Sequence, residues 1–279
     1  DGSDIGDLAN SSIDHVITLD MSQVNNIELI RGPKSLIYGS NAIGGVINTT
    51  LAGGPQIRVD KILRKISFIG ESYNESLYGN FGLYIPMHKK QLNFLSTNSK
   101  SENQTTAIGE LKNTYSQSSN YKIGLTHYNK NGYINFNFEN FNMDYGIPPF
   151  EIIGQYNGVD IELKKNTFQI DYHSHLNTNT FNQLDVSYDY IDYQHAELSS
   201  NVIHVDLAKD THSLNFEIKS SSSVIGFDIK YKHLYTQQEL AHYFSPSTTQ
   251  LNLFLYGYHE SELNNFDLLS SCRIGYLSI

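Results

Sequence analysis

The stretch Asn25–Thr50, NNIELIRGPKSLIYGSNAIGGVINTT, sets four glycines and one proline among aliphatic and β-branched residues. Ile27 to Ile30 reads as a strand that ends at the Gly32-Pro33 turn, because proline cannot donate to a sheet ladder. Gly39 and the Gly44-Gly45 pair supply backbone angles that other side chains forbid. Val46-Ile47-Asn48 then resumes as a strand. The expectation is a small, tightly turned sheet whose glycines are architectural. A phosphate cradle would need a helix start and a Lys-Ser/Thr after the glycines, and neither is there.

Beyond about Arg58 the texture changes to period-two alternation. Ile134, Phe136 and Phe138 alternate with Asn135, Asn137 and Glu139. Phe168, Ile170 and Tyr172 alternate with Gln169, Asp171 and His173, and Leu184, Val186, Tyr188 and Tyr190 with Asp185, Ser187 and Asp189. One apolar and one polar face per strand follows. Turn signals separate the runs, among them Asn129–Gly132, Asn177–Thr180 and Ser220–Ser223. No segment carries helical periodicity. An all-β chain of this kind is a sandwich, a soluble barrel, or a barrel with its apolar face toward lipid. Strands long enough for a tilted crossing of about 9–11 residues, short turns on one side, longer loops on the other and many Tyr and Phe fit the last.

The bulk numbers agree. The chain has 279 residues and a net charge of −10, with 20 Tyr, 14 Phe and no Trp. No Lys/Arg cluster stands out, so nucleic-acid binding lacks its electrostatic footprint. One cysteine, Cys272, excludes an intrachain disulfide framework. No apolar run approaches the roughly 18 residues of a membrane helix. No Ser/His/Asp constellation or paired-carboxylate motif argues for an enzyme, and no resident cofactor is expected.

The segment IELIRGPKSLIYGSNAIGGVIN closely resembles the end of the plug domain of TonB-dependent outer-membrane receptors. Arg31, Gly32, Pro33, Tyr38, Gly39, Gly44 and Gly45 all fall on that pattern. The resemblance implies a plug end over residues 1–54 and the first half of a β-barrel over 55–279. That half would hold 10–12 strands of a 22-stranded, plugged barrel. The whole would sit in the outer membrane of a Gram-negative bacterium, among outer-membrane lipid. TonB and its inner-membrane complex would energise import of a small-molecule or metal cargo. The chain reads as part of a longer protein whose earlier part carries the signal peptide and the TonB-contacting motif. A binding receptor or adhesin without transport, a vitamin or glycan cargo, and a soluble β protein are the alternatives.

Further segments are similar to zinc- and iron-type receptors related to the neisserial zinc importer: DHVITLD (14–20), DYGIPPF (144–150), DYQHAEL (192–198) and YFSPSTTQLNLFLYGYHE (243–260). The loop after Gly146 has no histidine run, and His259-Glu260 stands where that branch commonly has two acids, so zinc and iron both stay open. The alternation puts Asp185, Ser187, Asp189, His195 and Glu197 on one polar face, with His195 and Glu197 near the outer mouth. Loop residues His204 and His242 are further candidate ligands. His195, Glu197 and His242 form the expected metal set, since imidazole and carboxylate suit Zn²⁺ or iron. Asp171, His173 and His175 share a polar face at the opposite end. The apolar phase flips near Lys164–Asn166, which predicts a bulge there. The tyrosine stripes are expected to face lipid.

Overall fold

The structure, a computed structural model, describes residues 5–8, 15–40, 42–55, 58–149, 158–236, 246–264 and 266–279. The Asn25–Thr50 stretch forms an antiparallel hairpin of β1 (Val24–Ile30) and β2 (Val46–Leu51), closed by short 3-10 turns at Pro33–Tyr38 and Ala42–Gly44. Pro33 opens the first turn, where its missing N–H costs nothing. Gly32 has φ 74° and Gly45 φ 124°, and a Cβ on Gly45 would lie 2.8 Å from the Ile30 carbonyl oxygen. Gly44 is not in the positive-φ region, so only one glycine of that pair is demanded by its backbone angle.

The alternating remainder builds one antiparallel sheet of eleven strands. In chain order these are β3 (Leu63–Glu71), β4 (Ser76–Met87), β5 (Lys90–Ser101), β8 (Ser116–Tyr128), β9 (Gly132–Ile147), β10 (Val159–His175), β11 (Gln183–Ser199), β12 (Val202–Lys219), β13 (Ser223–Thr236), β14 (Thr248–Leu263) and β15 (Phe266–Ser278). A small hairpin, β6 (Gln104–Thr106) and β7 (Gly109–Leu111), lies in the connection between β5 and β8. Each strand pairs with its chain neighbour, so the sheet is a meander with β3 and β15 at its edges.

The faces are inverted relative to a soluble protein. Phe136, Phe138, Phe168, Leu214, Phe216 and Phe227 are exposed, while Thr126, Asn135 and Thr211 are wholly buried. The register stacks the outward groups into rows, such as Ile123–Phe138–Phe168 and Phe216–Phe227. The buried polar face wraps the N-terminal segment. Tyr78 Oη donates to Asp20 at 2.9 Å, Asn93 Nδ2 to the Gly53 carbonyl at 2.9 Å, and Tyr128 Oη to the Pro55 carbonyl at 3.0 Å.

Toward the long-loop end the pattern switches. Phe141, Ile161, Leu163, Ile191 and Tyr193 are buried on the inside. On the outside the apolar rows give way to Asn140, Asn166 and Asp192, which hydrogen-bond in sequence at 2.8 and 3.3 Å. The pairing of β10 with both neighbours runs unbroken through Lys164–Asn166, so the expected bulge is not there. The apolar phase flips because the strand's surroundings change from an apolar exterior to an apolar interior contact. The tyrosines also divide. Tyr121, Tyr172 and Tyr231 are exposed, whereas Tyr84, Tyr128, Tyr145, Tyr193, Tyr256 and Tyr258 are buried, where a phenol supplies both bulk and a hydrogen bond.

If the outward rows meet lipid, Phe216→Arg, within the apolar band, lowers the unfolding free energy in bilayers by about 2–4 kcal/mol, and Gln194→Arg, in the polar rows, by about 0–1 kcal/mol. Denaturant titration in lipid vesicles measures both, and equal effects would contradict the lipid-facing assignment.

Candidate metal centre

On β11, Tyr193, His195 and Glu197 point to the same inner face. His195 pairs with Leu163 of β10 and Leu207 of β12; Glu197 pairs with Ile161 and Val205. Phe141, Leu163 and Tyr193 form a buried apolar cluster beneath them, and Leu8, Val16 and Met143 pack against it. Leu8 and Val16 belong to the N-terminal segment, so this cluster seats a strap of chain against the wall.

Polar contacts fix the same strap. The Thr18 N–H donates to Asp7 Oδ2 at 2.9 Å. The Lys165 ammonium donates to the Thr18 carbonyl at 2.7 Å and to its hydroxyl at 2.9 Å. Lys209 donates to the Asp7 carbonyl, with its ammonium 5.7 Å from the centre of the Tyr193 ring. Buried ammonium groups are tolerable only when hydrogen-bonded, and here main-chain oxygens supply the partners.

The strap delivers His15 to β11. Its Nε2 lies 3.5 Å from Glu197 Oε1, and His195 Nε2 lies 3.3 Å from the same oxygen. The two imidazole rings meet edge to face, 4.7 Å between centroids. His15 Nδ1 is 3.2 Å from the Leu8 carbonyl, which can only accept, so Nδ1 carries a proton and Nε2 is the nitrogen turned to the carboxylate. Between Nε2 and the carboxylate oxygen a cation is needed, either a proton on the ring or a metal ion. His195 Nδ1 is in turn held by Tyr193 Oη at 3.3 Å. Outer partners on both rings are what a ligating histidine requires.

The dimensions fit as well. Bonds of about 2.0–2.2 Å in a tetrahedral site imply ligand–ligand distances of about 3.3–3.6 Å. The two His–Glu distances fall in that range; the three donor atoms spread to 4.8 Å, so the two imidazole nitrogens must draw closer to share one ion. The His195 side chain is fully buried while that of Glu197 is 28% exposed, so the open side lies at the carboxylate. At the strand ends beyond the site, Asn113 Nδ2 donates to the carbonyls of Ile147 and Val159 at 2.9 and 3.0 Å, bracing the neck between β9 and β10. Tyr115 Oη donates to Asp160 at 3.1 Å, and burial, followed by the Asp160 charge, pushes its pKa up to about 12.

Of the residues expected from sequence, His195 and Glu197 come together and His242 lies outside the described residues. His204 is exposed and is not in the group. His173 instead binds Asp185 at 2.6 Å and stacks on Tyr133 at the short-turn end. Sequence reasoning missed His15, although it lies within DHVITLD. Spacing along the chain gives no sign that it would meet a strand 180 residues later.

Residues 1–46 match the family model of the TonB-dependent receptor plug domain. Among solved structures, the fold is similar to the siderophore receptor PirA from Pseudomonas aeruginosa, at 16% identity and a TM-score of 0.70 over 96% of this chain. It is similar to the FrpB iron transporter from Neisseria meningitidis, at 11% identity and a TM-score of 0.72 over 92%. A mutant of the ferric enterobactin receptor PfeA from Pseudomonas aeruginosa gives 13% identity and a TM-score of 0.69 over 96%. In each case the match covers 46% of the solved chain, so this chain spans about half their length. No curated protein matches it in sequence.

Lys165→Met leaves the Thr18 carbonyl and hydroxyl without their buried donor, at a cost of about 1–3 kcal/mol. Amide hydrogen exchange at Val16–Leu19 should rise accordingly while β9–β11 stay protected; unchanged exchange in the strap would contradict its dependence on Lys165.

Proposed function

We propose that this chain, in which the plug end of a TonB-dependent receptor meets an eleven-stranded part of its barrel, serves active import of a metal ion or metal chelate across the outer membrane of a Gram-negative bacterium. Residues 1–54 supply the end of the plug and 55–279 the adjoining barrel. Zinc and iron are the favoured cargoes. The observation that carries this reading is the convergence of His15 from the plug with His195 and Glu197 from the barrel wall. Two imidazole nitrogens and one carboxylate suit borderline divalent metals better than Mg²⁺ or Ca²⁺, which prefer all-oxygen sites. Each ring is already oriented by its second nitrogen, and binding needs only that the two imidazoles close on the shared ion.

The fold likeness supports the same direction. The solved structures it resembles carry the descriptions siderophore receptor, iron transporter and ferric enterobactin receptor. On this reading the cargo is taken at the outer mouth, where Glu197 is the accessible ligand. TonB, driven by the inner-membrane proton gradient, then pulls on the plug. Displacing the strap withdraws His15 and leaves the cargo with two of its three protein ligands. Beyond this exchange of ligands, the cargo undergoes no chemical change on this reading.

The decisive experiment measures ⁶⁵Zn and ⁵⁵Fe accumulation by cells expressing the complete receptor, with and without an uncoupler. Uptake of one metal should require both receptor and gradient. His195→Ala and Glu197→Gln should each reduce it at least tenfold at limiting metal, the lower end of the loss typical for disturbing a metal's ligand environment. Receptor-dependent uptake that both variants leave unchanged would rule out this site. Absence of any gradient-dependent metal uptake, with the receptor present in the outer membrane, would rule out the metal-import reading.

A further inference from the structure

Two basic stretches that lie apart in sequence meet in space. Residues 58–65 carry Arg58, Lys61, Arg64 and Lys65 against a single acid, Asp60, and the turn after β4 is His88-Lys89-Lys90. The fold brings these two stretches together at the short-turn end of the sheet. A cleft of about 230 Å³ opens there, lined by Arg58, Val59, Asp60, Pro86, His88, Lys90 and Gln91. The chain as a whole carries −10, so a concentration of positive charge at one rim runs against the overall balance.

The cleft is built rather than incidental. The Arg58 guanidinium lies over the Tyr128 ring, 4.7 Å from its centre, and one of its N–H groups donates to the His88 carbonyl at 3.2 Å. Gln91 is buried and accepts from the Val59 N–H at 2.9 Å, which pins the linker to the wall. The Arg58 side chain is thus fixed by a ring and a carbonyl, and its planar fork of donors matches phosphate geometry. Asp60 lowers the local charge by one; Lys61 and Lys89 flank the cleft and keep it positive.

Its position adds the second half of the ligand. On β5 the inner face carries Gln91, Asn93 and Leu95, so Lys90, Leu92 and Phe94 look outward. Leu92 is paired with Ile85 and Phe94 with Leu83. Ile66, paired with Phe81, and Phe68 are exposed on β3. An apolar outward surface therefore runs directly up from the cationic rim. Phosphate beside arginine and lysine, with hydrocarbon against the aliphatic and aromatic rows above, is the profile of a membrane lipid held at its headgroup.

We propose that this cleft binds the phosphodiester of an anionic glycerophospholipid of the periplasmic leaflet, phosphatidylglycerol in class, whose acyl chains lie on the outward side chains of β3, β4 and β5. The proposal rests on the outer-membrane reading above. Arg58 and Lys90 take the phosphate oxygens and His88 closes one side. Inner-leaflet lipid thereby anchors the point where the plug passes into the barrel.

The test uses the complete receptor in a mild detergent, exchanged with phosphatidylglycerol, phosphatidylethanolamine or phosphatidylcholine of matched chains. Lipid retained by the folded protein is counted by native mass spectrometry. Phosphatidylglycerol should be retained in preference to phosphatidylcholine. Arg58→Gln/Lys90→Gln should weaken that retention by about tenfold or more, and Lys90→Arg should preserve it. Because Arg58 also holds the linker, Lys90→Gln alone decides if the double variant misfolds: the exposed Lys90 can be replaced without touching the interior. Equal retention by wild type and Lys90→Gln, or no preference among the three lipids, would overturn the proposal. Displacement of phosphatidylglycerol by millimolar inorganic phosphate would identify a free-anion site instead and overturn the lipid assignment. Fractionation of the wild-type receptor away from the outer membrane would refute the membrane reading separately, since the detergent measurement does not depend on it.

Discussion

A sheet that turns its apolar side chains outward must find partners for the polar groups it turns inward. The inner face of β3–β15 is a wall of amides, hydroxyls, carboxylates and ammonium groups, many with no exposure at all. Leaving such groups unpaired costs more than any single contact returns. The N-terminal segment meets part of this demand, because its main chain supplies carbonyls where the wall supplies donors. Lys165 meets Thr18, Lys209 meets Asp7, Asn93 meets Gly53, Tyr128 meets Pro55, and Arg273 meets Leu36 and Ile37. The segment inside and the wall around it are therefore one hydrogen-bonded object.

The wall itself is cross-linked by the same logic. From His173 a chain of contacts runs through Asp185, Lys219, Glu217, Tyr256, Asn215 and Asp228 to Arg273. It crosses from β10 to β15 and ends on the carbonyls of the Pro33–Tyr38 turn. His173, which the sequence grouped with Asp171 and His175, and Asp185, which it placed on the polar face of His195 and Glu197, are links in this chain. Asp185 is committed to His173 and Lys219, which argues for a structural role at that end of the barrel.

Period-two alternation made the strands legible because each face keeps one environment over several residues. It failed where the environment changes along a strand. At Lys164–Asn166 a change of neighbours looks in sequence like a change of register, since both move the apolar residues to the other parity. Tyrosine misled for a related reason: one residue type serves an apolar exterior and a hydrogen-bonded interior equally well. In the plug stretch, the glycine at position 45 was readable because a close backbone approach leaves no substitute, whereas the one at position 44 owes its place to something other than its backbone angle.

The candidate site shows the same boundary between local and long-range information. His195 and Glu197 were visible because they sit two apart on one strand, where alternation alone places them together. His15 was not, because its arrival depends on Leu8 and Val16 packing on Phe141, Leu163 and Tyr193, and on two lysines gripping the strap. Nothing local encodes that meeting. The division has a consequence under the import reading. The two barrel ligands are fixed in the rigid sheet, while the third rides on the element held to that sheet by carbonyl–ammonium bonds. Both lysines reach main-chain oxygens of the strap, so its hold on the wall runs through its backbone. On the proposed import reading, a site assembled this way would hold its cargo while the plug is seated and lose a ligand as the strap leaves, which would tie release to displacement without any further moving part.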